Sequence, residues 1–405
     1  MPFRVVTLAL ACGLITTLQG QDTWRRTYGG FDSNIGRSVR QTSDGGFLLV
    51  GSTGSFGGGG GDIYVIKTDA AGTPIWSRTI GDAGVQTGVA GREVGDGYLI
   101  AGTTTTGAHG GYDMLLCKLD VDGGESWQLT YGTADWDLCA DMEAGSAAAY
   151  LVGTSFGANG SSAVVYKVDL NGNPQWTASV DGPFDDAANG VSLLADEGVL
   201  VSGTKGISAG DQDALIMRFD GNGTELWSRT FGGPEEDRFY DAVELSNGRV
   251  VCSGGTRSYS DVLQILAVSV LADGSDDWQR EFGSMGDSEG REIQVDLMGN
   301  LAIASFNSYA NAGGRDMVLF KITAGGDFLL GKNYGGIDDE EGFSLDCISD
   351  GGYVLVGTAE GYGPGIRSIY VVRSNEQGET DDDTVYEMFD ALVIRGEADA
   401  SVGLI

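Results

Sequence analysis

Histidine is almost missing: His109 is the single one in 405 residues. That excludes most zinc sites and His-dependent triads. Positive charge is also scarce, with 24 Lys and Arg against 58 Asp and Glu and a formal net charge of −34. Binding of nucleic acid through its phosphates needs clustered cations, as does docking on anionic headgroups, so neither is expected. Proline is rare (6 residues), and glycine shows no three-residue period, which excludes collagen. The five cysteines lack CxxC spacing. Cys117, Cys139, Cys252 and Cys347 mostly fall in apolar runs and are expected as buried free thiols. No stretch approaches the ~18 consecutive apolar residues of a spanning helix, so membrane insertion is not expected.

Glycine, by contrast, is abundant at 68 residues, and hydrophobic residues make up 41%, enough for a sizeable core. Residues 1–20 have the pattern of a secretory leader: Arg4, an apolar stretch from Val5 to Ile15, and Leu18-Gln19-Gly20 before Gln21. The expected location is therefore secreted or at the cell surface of a bacterium, or the periplasm.

Six of the seven tryptophans are evenly spaced: Trp24, Trp76, Trp127, Trp176, Trp227 and Trp278, with the next step landing on Leu330. A period of about 51 residues signals a repeat architecture. Each repeat carries four strand signals separated by Gly, Asp and Asn turns; in the first they fall near 35–43, 46–53, 62–69 and 74–81. Four strands repeated seven times predict an all-β fold, a seven-bladed β-propeller of four-stranded antiparallel blades over residues 21–375. Residues 22–30 match a fourth strand with no first three before it, while the last repeat supplies only three strands. The N-terminal strand is therefore expected to close the ring as the outer strand of the last blade, removing an edge. The glycine column at 51, 102, 153, 203, 254 and 357 predicts close approach of neighbouring backbones. Residues 376–405 read as an acidic linker and a short segment with a helical face (Val385, Met388, Phe389, Leu392).

Asp-x-x-Gly-x-x-x-Trp at 69–76, 169–176 and 220–227, with Asp-Gly-Gly-Phe/Tyr at 44–47 and 350–353, resembles the secreted propeller repeat proteins of Bacteroidetes-type bacteria. More distantly it is similar to the tryptophan-docked blades of quinoprotein-like propellers. The resemblance implies the fold rather than an activity. Seven blades and no adjacent cysteines depart from the quinone-binding pattern, so no quinone is implied.

The loops joining fourth to first and second to third strands should share one face, and they collect carboxylates: Asp135, Asp137, Asp185, Asp186, Glu235, Glu236, Asp237, Asp338 and Asp339. These read either as a site for cations or a basic partner, or as a solvated rim that aids solubility. No loop has the regular Asp spacing of a calcium loop, which favours the rim. No cofactor is expected beyond weakly bound calcium. Phe56, Phe156, Tyr259, Tyr309 and Tyr362 recur on the same face in phase with the repeat, as structural plugs or as binding aromatics. Trp136 breaks the phase and is the best single candidate for a ligand contact. The sequence therefore points to a monomeric, exported, non-catalytic binding or scaffold propeller with an extracellular protein or glycan as partner. The alternative is a carbohydrate-active enzyme using carboxylates on that face.

Overall fold

The computed structural model describes residues 22–158, 160–283, 285–308 and 314–381. The leader (1–20), Tyr309 and the helical expectation at 385–392 lie outside them. Each blade is a four-stranded antiparallel sheet in sequence order, inner to outer. The first blade comprises Asn34–Gln41, Phe47–Thr53, Asp62–Thr68 and Pro74–Ile80. The seventh comprises Glu340–Cys347, Tyr353–Ala359 and Ser368–Ser374, completed by Trp24–Tyr28. That N-terminal strand pairs with the third strand from Trp24 opposite Arg373 to Tyr28 opposite Ile369, and Thr23 hydrogen-bonds Asp381 beside it. The closure expected from the orphan fourth strand is therefore present. No helix among the described residues is long and apolar enough to cross a membrane.

The middle strands are apolar because both their faces are covered. Phe47-Leu-Leu-Val50 and Ile63 to Ile66 are buried between adjoining blades, and every blade repeats this layer. In the first outer strand Trp76 and Ile80 are buried on one face, with Arg78 exposed between them, and Ile75 is exposed on the other face.

The tryptophan spacing has a direct physical cause. Each indole lies over the hairpin turn between the third and fourth strands of the next blade. Trp76 Nε1 donates to Val121 O at 3.2 Å, Trp176 to Gly221 O at 3.2 Å, and Trp227 to Ala272 O at 3.2 Å. The turn beneath closes with a glycine at positive φ, such as Gly223 at +85°. A Cβ on Gly223 would lie 2.7 Å from the Trp176 ring, so glycine is required both by the backbone and by the indole. Trp-over-turn contacts thus tie six of the seven seams, with Leu330 standing in the column at the seam between the sixth and seventh blades, and the ring inherits the period of the sequence.

Gly223→Ala combines left-handed strain with a steric clash against Trp176, and is expected to destabilise the fold by about 2–4 kcal/mol. Gly299 is a control: its φ is +78° but nothing lies within 4 Å of an added Cβ. Gly299→Ala should cost only the ~1–2 kcal/mol of backbone strain. Thermal melts of both variants check this; equal losses would remove the indole from the explanation.

Candidate functional site

The loop face forms as expected, with each fourth-to-first loop packed on a second-to-third loop. Asp82 accepts from Thr106 at 2.8 Å, Glu235 N donates to Ser258 Oγ at 3.1 Å, and Phe156 N donates to Trp136 O at 2.8 Å. The in-phase aromatics mostly cover glycine-rich loops. Phe56 is half-buried, tilted against Tyr64 with 5.4 Å between ring centroids. Tyr362 stacks on Tyr370 at 5.4 Å. Tyr259 donates its hydroxyl to Gly232 O at 2.9 Å while remaining 47% exposed.

Trp136 differs. It is 53% exposed and touches Tyr112 edge-on at 5.0 Å and Phe156 at 6.3 Å, itself 39% exposed. Exposed Phe184 follows: Phe156 pairs across its hairpin with Ser161, whose N–H donates to Asp185 beside Phe184. Blades two to four therefore share an aromatic patch flanked by the exposed carboxylates of Asp135 and Asp185.

Several carboxylates on this face are already engaged in shaping their loops. Asp185 Oδ1 caps Ser161 N at 2.9 Å, Asp339 Oδ1 accepts from Arg315 N at 2.8 Å, and Glu236 pairs with Arg238 at 2.6 Å. Glu235 and Asp338 are exposed. Asp137, Asp186 and Asp237 are not surface groups: each is fully buried at the start of an inner strand. Asp186 takes Lys205 at 2.8 Å. At every second blade junction the buried carboxyl instead faces another, in the pairs Asp113–Asp137, Asp213–Asp237 and Asp316–Glu340. Oxygens of Asp213 and Asp237 lie 2.4 and 2.5 Å from where a Cβ on Gly232 would sit, so the glycine makes room for the pair. Asp113 Oδ1, Asp137 Oδ1, Asp237 Oδ1 and Glu340 Oε1 have no hydrogen-bond partner. Two carboxyls offer fewer oxygens than the 6–8 that calcium takes. Among the described residues no group of three or more His, Cys, Asp or Glu is spaced for a metal. Burial first, then Asp316 and its neighbours, raises Glu340 to about 7, and burial likewise raises Asp213, so these two carboxyls take up a proton more readily than exposed ones.

The site that the sequence did not reveal is the ring axis. Every inner strand carries a β-bulge, and the extra residue lines a central cavity of about 730 Å³. These residues are Arg37, Val89, Ala140, Asn189, Tyr240, Arg291 and Phe343. The seven have no common residue type that a repeat search would find, yet each stands three positions after a buried polar residue (Asn34, Gln86, Asp137, Asp186, Asp237, Ser288, Glu340). Bulging re-aims a side chain and frees backbone N–H groups. Neighbouring blades cap those amides: Val191 N donates to Asp141 at 3.1 Å, Ile293 N to Asp241 at 3.0 Å, and Leu345 N to Glu292 at 3.2 Å. Burial raises Asp141 to about 6, and burial followed by the nearby charge of Glu292 raises Asp241 well above the usual carboxyl value. Arg92 bonds Glu143 at 2.8 Å, and Arg40 reaches Glu292. The bulges also account for the glycine column: a Cβ on Gly51 would lie 1.9 Å from Ile35 O, and one on Gly203 would lie 2.0 Å from Ala187 O.

No family model matches the chain, and no curated protein matches it either. Solved structures do. An ulvan lyase, a polysaccharide lyase, aligns with a TM-score of 0.54 at 14% identity, covering 87% of this chain and 97% of the lyase. The WD40 domain of Neurospora crassa Pan2 aligns at 0.50 and 12% identity, covering 87% and 92%. The propeller of the Trilobed protease from Pyrococcus furiosus aligns at 0.46 and 12%, covering 82% and 91%. At these identities the two alignments at 0.50 and 0.54 show the β-propeller fold alone.

The carboxyl pairs give a pH test. Glu340 is raised in the folded state, so its contribution is complete below its unfolded pKa and lost as pH rises through about 7. Relative to Glu340→Gln, the wild type should lose on the order of 1–2 kcal/mol between pH 5 and pH 8, after discounting for screening. Urea melts at both pH values measure the difference; parallel stability profiles would show that Glu340 carries no extra proton.

Proposed function

We propose that the protein is an exported, non-catalytic binding propeller whose loop face engages an extracellular glycan or protein through the aromatic patch at blades two to four. The observation that carries this reading is Trp136: a half-exposed indole held edge-on between Tyr112 and Phe156. An aromatic group immobilised in this way offers contact area with little conformational entropy to lose on binding. Its faces suit sugar rings or an apolar side chain, and the flanking Asp135 and Asp185 can accept hydroxyl or ammonium protons. Net acidity favours neutral or cationic partners over anionic ones at this face. Several rim carboxylates hold their own loops together, which supports binding over acid–base chemistry.

The experiment is a polysaccharide and peptide screen read both for binding and for new reducing ends. Binding without product is expected, weakened at least tenfold by Trp136→Ala and unaffected by Tyr362→Phe on the seventh blade. Release of product that disappears on replacing Asp135 or Glu235 would establish the carbohydrate-active alternative instead.

A further inference from the structure

Around the axial cavity the bulge residues are unevenly distributed. Four consecutive blades, five, six, seven and one, contribute Tyr240, Arg291, Phe343 and Arg37, alternately aromatic and cationic. The Arg291 guanidinium lies 4.0 Å from the centroid of Tyr240 and 5.8 Å from that of Phe343, while Arg37 lies 4.1 Å over Phe343. The other three blades contribute Val89, Ala140 and Asn189, whose small side chains leave the volume open.

Two features show that this arc is not a closed structural network. Arg37 has no ion pair among the described residues and lies over the Phe343 ring, with Glu341 close enough for its charge to be felt. Arg291 bonds Glu289 at 2.7 Å through one terminal nitrogen, but its buried Nε has no partner. Burial, and then the charge of Arg291, pulls Arg37 below its usual pKa, so the two cations are close enough to repel. The nearby acids are occupied: Glu289 serves Arg291 and Glu341 serves Arg315, while Glu292 and Glu143 serve Arg40 and Arg92. Beside the Tyr240 end of the arc, Asn189 spends its Nδ2 on Phe239 O at 2.9 Å, leaving Oδ1 to accept.

We propose that the axial cavity is a second binding site, which takes a small hydroxylated organic anion, a sugar acid bearing a carboxylate or sulfate. Its anionic group bridges the guanidiniums of Arg37 and Arg291, and its hydroxyls donate to Asn189 and Asp141. Planar guanidiniums pre-set on aromatic faces bind such groups with little entropy to lose. The net charge of −34 opposes entry. At physiological salt the ~8 Å Debye length confines the influence of the distant rim, so the local cations decide. Selectivity for anions here and against them at the loop face makes the two sites separable.

Calorimetric titration of the full chain with D-glucuronate, glucose 6-sulfate and glucose tests the proposal. Saturable binding is expected for the two anions at millimolar concentration or below, and none for glucose. Arg37→Gln should weaken binding at least tenfold, and Arg37→Lys should restore part of it; Trp136→Ala should leave it unchanged. Thermal melts confirm that the variants fold, as they should, since Arg37 pairs with no carboxylate. Absence of saturable anion binding, equal binding of glucose, or an unchanged constant in a folded Arg37→Gln protein would overturn the proposal.

Discussion

The docking of one side chain, an outer-strand indole, on the hairpin turn of the following blade sets the terms for the rest of the structure. A single four-stranded blade cannot bury its two apolar faces, so it exists only against neighbours. The indole fixes that neighbour's distance and angle, and the turn glycine beneath fixes the residue spacing at which the contact can recur. Once the seam is fixed, the apolar middle strands face each other in successive layers, and the N-terminal strand has one place left, beside Ser368–Ser374.

A second constraint acts at the axis. Seven inner strands converge there, and each bends through a bulge that sends one residue inward. The freed amides would be costly if left unmade; the side chains that cap them come from the adjoining blade, so the seam is sealed at its inner edge as well as its outer one. Interior carboxylates such as Asp141 and Asp241 are therefore part of the scaffold, and their raised pKa values reflect burial. Acidity, which composition alone presents as a surface property, is in fact divided among loop capping, paired buried carboxyls and inter-blade amide caps.

Most of the scaffold was legible in the sequence because it is written in identical residues: the Trp column, the Asp-x-x-Gly turns, and the Gly column that marks close backbones. Strand boundaries fell within about two residues, and the orphan strand at 24–28 gave the closure. On the loop face, the break in phase at Trp136 was legible for the same reason. The axial residues were not, because a bulge position is defined by backbone geometry and tolerates any side chain: Arg37, Ala140 and Phe343 are equivalent only in three dimensions. Burial of Asp137, Asp186 and Asp237 was hidden too, since a carboxylate in a turn-rich stretch looks the same whether it caps a loop or faces another carboxyl. In this ring the in-phase residues build the seams, and Trp136 and the bulge residues stand outside that pattern.

The central physical claim is that inter-blade seams, closed at both edges, make the ring one cooperative unit. Native-state amide hydrogen exchange in low denaturant measures this directly at the bulge amides of Val39, Val191, Ile293 and Leu345, each capped from the preceding blade. The account predicts that these amides, drawn from blades one, four, six and seven, exchange with one common free energy equal to that of global unfolding. A graded series, with individual blades opening independently at lower free energies, would contradict it.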